Sequence, residues 1–162
     1  CMSEDKFDKT SYVESIFYKL SETARVSELM ARNFYKDFTE RGEYILDLDE
    51  FKILSHISQD PKLAQSDISK LMYKGKAHIG KILNAMEEKN YITRVLSSKN
   101  NIMVKQTVLT DYGKKLYDYT DRSFKKLGER VLENFSSEEL ESLALLLDKM
   151  KQMMLENNKI YF

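Results

Sequence analysis

Gln65-Ser66-Asp67-Ile68-Ser69-Lys70-Leu71-Met72, then Tyr73-Lys74-Gly75, then Lys76-Ala77-His78-Ile79-Gly80-Lys81-Ile82-Leu83-Asn84-Ala85-Met86-Glu87-Glu88 is the stretch that decides the fold. In its last run Ile79, Ile82, Leu83 and Met86 fall at i, i+3, i+4 and i+7, the spacing of one helix face. At about 100° per residue the opposite face carries Ala77, Lys81, Asn84 and Glu88, with His78 and Gly80 on its flanks. The first run, Gln65 to Met72, reads as a shorter helix with Ile68, Leu71 and Met72 apolar, and Tyr73-Lys74-Gly75 as the break between the two.

Outward from this pair, Leu48 to Ser58 reads as a helix that turns Phe51, Leu54 and Ile57 inward and is closed by Pro61. Asn90 follows the Lys76–Glu88 helix, where a left-handed residue fits. Tyr91 to Ser97 and Met103 to Leu109 are then rich in β-branched residues, with Ser98-Lys99-Asn100-Asn101 between them as the tip of a hairpin. Helix, helix, short break, helix, hairpin is the order of a winged helix-turn-helix. Thr110 is placed to cap a fifth helix reaching about Glu133, and Ser136-Ser137-Glu138-Glu139 is a capping box opening a sixth. A helical stripe also runs from about Ser11 to Arg41, with Gly42 placed to end it. At roughly 30 residues this first helix is longer than a compact core needs. The sixth is apolar on more than one side, through Leu145, Leu146, Met153 and Leu155, which points to a second chain.

The fold class expected is therefore mainly α: a winged helix-turn-helix with a small β-hairpin wing, plus long N- and C-terminal dimerisation helices. The expected organisation is a winged helix-turn-helix domain at 46–110, proposed to bind DNA, a helical dimerisation region at 11–45 and 111–162, and a disordered or loosely ordered N-terminus at 1–10.

Twenty-six basic residues balance 26 acidic ones, a formal net charge of zero, which taken alone counts against a polyanionic partner. Divided by segment the balance changes. Residues 62–105 hold nine basic and three acidic side chains, a net of +6, which leaves −6 for the remainder. With 42% hydrophobic and 32% charged residues the chain is too apolar for disorder. No apolar run approaches the roughly 20 residues of a membrane span, and Met2-Ser3-Glu4-Asp5-Lys6 is too acidic for export, so a cytoplasmic location is expected.

Cys1 is the only cysteine. It precedes a Met that reads as the natural start and is expected to be a cloning remnant. One cysteine allows neither an intrachain disulfide nor a cysteine-rich zinc site. His56 and His78 fall on different helices, and His56 reads as a satisfied core residue. No HExxH, phosphate-binding glycine loop or Ser/His/Asp motif is present. No catalytic residue, metal site or cofactor is expected, and the chain is not read as an enzyme.

The stretch Leu48-Asp49-Glu50-Phe51-Lys52-Ile53-Leu54, the two helical runs quoted first and Val108-Leu109-Thr110-Asp111-Tyr112-Gly113 together resemble the MarR family of bacterial transcriptional regulators. The last resembles that family's Leu-Thr-x-x-Gly, and the long flanking helices resemble its dimerisation module. One departure is in the wing. The family's Asp followed closely by Arg is replaced here by Asn100-Asn101-Ile102-Met103.

On this reading Lys76–Glu88 is the recognition helix. Ala77 and Gly80 are small enough for close approach to base edges, Lys81 donates to guanine or phosphate, and Asn84 pairs with adenine. Lys76 and His78 accompany them. Gln65 and Ser66 open a helix whose free N–H groups suit a phosphate, although Ser66 alone reads equally well as a plain N-cap. Lys99, Asn100 and Asn101 at the tip, with Arg94 on the flank, reach backbone or minor groove. The resemblance also implies a small-molecule effector pocket, for which Phe17, Tyr18, Phe34, Tyr35, Phe38, Phe51 and Tyr117 are candidates, although aromatic residues at helical spacing serve a core equally well.

The function expected is a homodimeric, sequence-specific regulator of duplex DNA, a repressor on a pseudo-palindromic site with half-sites about one helical turn apart. The alternatives are a protein–protein adaptor built on the winged helix and a metal- or drug-responsive sensor.

Overall fold

The computed structural model describes residues 11–162; the expectation for residues 1–10 lies outside the described residues. The chain divides after Leu48 into two units.

In the first unit, a 3-10 turn at Tyr12–Glu14 precedes helix α1, Ile16–Glu40. The helix begins later than the apolar stripe suggests. Ser15 is extended at ψ 158° and its hydroxyl accepts from the Tyr18 N–H at 3.3 Å, so a side-chain cap fixes the start. At its other end Gly42 takes φ 73°, as its position past Arg41 predicts. Twenty-five residues span about 37 Å, yet Ala31 is the only buried residue of α1. Ile16, Phe17, Val26 and Leu29 stay exposed.

The second unit runs from Asp49. Helix α2 (Leu48–Gln59) buries Ile53, Leu54 and Ile57, whereas Phe51 is half-buried and lies 5.5 Å from Tyr117 and 5.7 Å from Phe124, ring to ring. His56 is half-buried in the last turn rather than sealed in the core. Helix α3 (Gln65–Met72) and helix α4 (Lys76–Glu88) occupy the expected residues. Between them Tyr73 takes φ 52°, the left-handed C-cap that turns the chain. Leu71 does not join the core: in two turns of helix the buried places go to Ile68 and Ser69, and Leu71 is 46% exposed.

Strand β1 (Ile92–Lys99) pairs antiparallel with β2 (Ile102–Leu109), Ile92 opposite Leu109 and Lys99 opposite Ile102. The pairing runs further than the sequence suggests, and the reason is the turn. Asn100 and Asn101 both take positive φ, 52° and 63°, the pattern of a two-residue type I′ turn whose twist matches that of the strands. Ala64 adds one bridge to Gln106.

Helix α5 (Asp111–Leu132) is capped by Thr110, whose hydroxyl accepts from Gly113 N–H at 2.9 Å. Helix α6 (Ser137–Asn157) opens on the expected capping box. The Ser136 hydroxyl accepts from Glu139 N–H at 3.1 Å and the Glu139 carboxylate from Ser136 N–H at 3.0 Å. None of its residues is buried.

Candidate nucleic-acid interface

Helix α4 is anchored by Ile79, Leu83 and Met86, each fully buried. That anchoring turns Lys76, Ala77, His78, Lys81 and Asn84 outward, and all five are exposed. Glu87 and Glu88 arrive only in the last turn. Lys70, Lys76 and Lys81 have no ion-pair partner among the described residues, so their charge faces solvent.

The flank of α4 is a hydrogen-bonded hub rather than open surface. Arg94 on β1, its side chain only 12% exposed, donates from Nη1 to Gln65 Oε1 at 3.3 Å and from Nη2 to Asn84 Oδ1. Its Nε lies 3.6 Å from a Glu87 carboxylate oxygen. Gln65 in turn donates from Nε2 to the Lys76 carbonyl at 3.2 Å. This explains Gly80 differently from the sequence. A Cβ there would lie 2.9 Å from Gln65 Nε2, so the space left by the missing side chain is filled by Gln65.

At the start of α3 the cap position belongs to Ala64, and Ser66 is the second helical residue, so the plain N-cap reading of Ser66 does not apply. Asp67 accepts from the Ala64 N–H at 2.8 Å and from Lys99 Nζ at 2.6 Å. The Lys99 bond, followed by the Ala64 N–H, holds the Asp67 carboxyl below its usual 3.8. The wing tip is thus moored to α3, with Asn100 and Asn101 exposed beyond it. Lys74–Asp49 at 3.3 Å and Lys89–Glu50 at 2.9 Å tie the turn and the end of α4 to α2.

The residues that sequence reasoning missed are Asp67 and Glu87. Acidic side chains on a basic surface carry no sequence signal of their own; only the fold brings them to Lys99 and Arg94.

Of the aromatic candidates, Phe51 lines a cavity of about 700 Å³ with Phe124, Asp121, Lys125 and Leu132. Tyr117 lines a second, of about 490 Å³, with Ile57, Pro61 and Thr107. Phe17, Tyr18, Phe34, Tyr35 and Phe38 belong to the first unit, where the rings of Phe34 and Phe38 lie 4.7 Å apart and those of Tyr12 and Tyr18 5.9 Å. Phe124 on α5 is a cavity wall that the sequence did not single out.

Comparison with known proteins agrees with this architecture. Residues 46–101 match the MarR family model. The HTH-type transcriptional regulator YybA of Bacillus subtilis (strain 168) is 23% identical over 141 residues, covering 86% of this chain and 89% of that one. In fold, the chain is similar to S. aureus MepR, solved as a complex with DNA, at TM-score 0.71 and 20% identity over 89% of this chain and 99% of MepR. It is also similar to a MarR protein from Peptoclostridium difficile at TM-score 0.72 and 19% identity, over 91% of this chain and 92% of that one. No helix among the described residues is long and apolar enough to cross a membrane. The family match lies on the helix-turn-helix and the first half of the wing, and the fold is shared along nearly the whole length.

Proposed function

We propose that the chain is a sequence-specific transcriptional regulator of the MarR type, a repressor that acts in the cytoplasm as a homodimer on a pseudo-palindromic duplex operator and responds to a small-molecule signal. Residues 46–110 act as the DNA-binding domain, and 11–45 with 111–162 as the dimerisation region. The observation that carries this is the outer face of α4. Lys76, Ala77, His78, Lys81 and Asn84 stand exposed in a row that a major groove accommodates, with Lys76 and Lys81 free of ion pairs among the described residues. Exposed Leu143, Leu145 and Leu146 on α6 support a second copy, and the cavity beside Phe51 and Phe124 supports an effector.

Duplexes selected from a random pool, then titrated with salt, test the reading. Bound sequences with twofold symmetry and an affinity that falls steeply with salt are expected. Lys81→Ala costs about 1–3 kcal/mol on the selected site. No duplex retained at low salt refutes the proposal. A protein-binding adaptor is the second reading, favoured by the exposed Leu96, Ile102 and Met103 of the wing; salt-insensitive capture of a protein in place of DNA marks it.

A further inference from the structure

Arg94 was expected to touch DNA. Its surroundings give it a different task. The side chain is mostly covered, and every partner it has lies within the winged helix: Gln65 on α3, Asn84 and Glu87 on α4. Glu87 offsets its charge, which leaves little attraction for phosphate. A guanidinium has donors only, so whichever way the Asn84 amide is turned, the oxygen must face Arg94. The NH2 group then points away from the hub, on the exposed face of α4 one turn beyond Lys81.

This changes what Asn84 can read. The bidentate contact of an asparagine with adenine needs the amide oxygen to accept from N6 while the NH2 donates to N7, both from the same edge of the amide. With one lone pair of the oxygen held by Arg94, the amide meets the groove in a single orientation, its NH2 group leading. Adenine and guanine each offer N7 to such a donor, and guanine O6 and thymine O4 do so too.

We propose that Arg94 is a positioning residue for base readout: it fixes the Asn84 amide in one orientation, so that the base preference at the position Asn84 meets depends on Arg94. This rests on the DNA-binding reading above and adds the residue that sets the readout at one base. Gln65, held by the Lys76 carbonyl and seated in the space over Gly80, completes the support.

Two measurements on the full chain test it. The first needs no DNA. The χ1 couplings and amide signals of Asn84, followed by NMR, are expected to report one fixed conformer in the wild type and an averaged one in Arg94→Ala and Arg94→Lys, the lysine variant retaining the charge should the alanine variant lose the fold. An averaged Asn84 in the wild type, or a fixed one in a folded Arg94→Lys, overturns the proposal.

The second is selection from a random duplex pool. The wild type is expected to enrich one base at a symmetry-related position in each half-site. Asn84→Ala flattens that position. Arg94→Lys lowers its preference at least threefold, and the double variant does no more than Asn84→Ala alone. An Arg94→Lys chain with unchanged preference overturns the proposal, as does an Arg94→Ala chain that weakens all sequences alike and lowers the salt slope by about one, the mark of a phosphate contact. Failure of the DNA reading looks different: the wild type retains no duplex although Asn84 is fixed, and this overturns the readout together with the function it serves.

Discussion

Gly113→Ala is expected to be among the most damaging single-methyl changes in this chain. A Cβ at Gly113 would sit 1.9 Å from the Tyr91 carbonyl oxygen and 2.8 Å from its carbon. Both are backbone atoms, so no rotamer relieves the clash. Bringing the contact to 3.0 Å, the shortest that side chains tolerate, parts the start of α5 from the start of β1 by more than 1 Å. The Tyr91 carbonyl accepts from the Thr110 N–H at 3.1 Å and from the Thr110 hydroxyl at 3.1 Å, and neither bond survives such a shift. Two hydrogen bonds at about 1 kcal/mol each and about 1–3 kcal/mol of overpacking are offset by about 0.5–1 kcal/mol of helix propensity. The net loss is about 2–4 kcal/mol, or roughly 5–15 °C in melting temperature for a chain of this size. Thermal and urea unfolding followed by circular dichroism, at one fixed protein concentration, measures it. Gly128→Ala is the control: it is helical, nothing lies within 4 Å of its Cβ position, and it should gain about 0.5–1 kcal/mol. If Gly113→Ala melts no lower than the parent, the close approach at Tyr91 is wrong.

Three further changes probe the moorings of the wing and of α4. The Asp67 carboxyl, held below 3.8 chiefly by Lys99, contributes stability that is present above 3.8 and lost as pH falls through its lower folded value. Asp67→Asn is therefore less stable than the parent at neutral pH, with the gap closing in acid; urea midpoints against pH check this, and a gap that widens in acid contradicts it. Asn101→Val places a β-branched residue at φ 63°, at a cost of about 1–2 kcal/mol confined to the wing. Hydrogen exchange should quicken at Lys99 and Ile102 and stay unchanged in α4. Lys89→Met removes the cation 2.9 Å from Glu50, which is 4% exposed, and should cost about 1–3 kcal/mol in urea unfolding, less than a fully buried pair because Lys89 is half open to water. No loss would show that Glu50 does not rely on it.

The helices were legible where a local signal fixes their start. Gly75 before Lys76, Thr110 before Asp111 and the Ser136–Glu139 box mark boundaries that the structure reproduces, because caps act over three or four residues. The tight wing turn was half legible. Asn100-Asn101 announced positive φ, but pairing out to Lys99 and Ile102 follows only from the two-residue turn geometry. Side-chain partners were not legible. Arg94 and Lys99 read as free cations along the chain, and only the packing of β1 beside α3 and α4 brings Gln65, Glu87 and Asp67 within reach. Gly80 shows the same limit, since a small residue in a helix looks alike whether it admits a base or a neighbouring glutamine.

Helix α6 has 21 residues and buries none of them, with Leu145 70% and Leu146 61% exposed. A capping box and helix propensity make an isolated helix of that length marginal in water. In the homodimer proposed for this chain, its order then depends on mass action. Occupancy of an operator rises faster than in proportion to the amount of protein, because each increment both assembles the dimer and fills the site. On the proposed reading as a repressor, the C-terminal leucines then set a dosage threshold: scarce, the protein would leave a promoter open, and a modest increase in synthesis would close it.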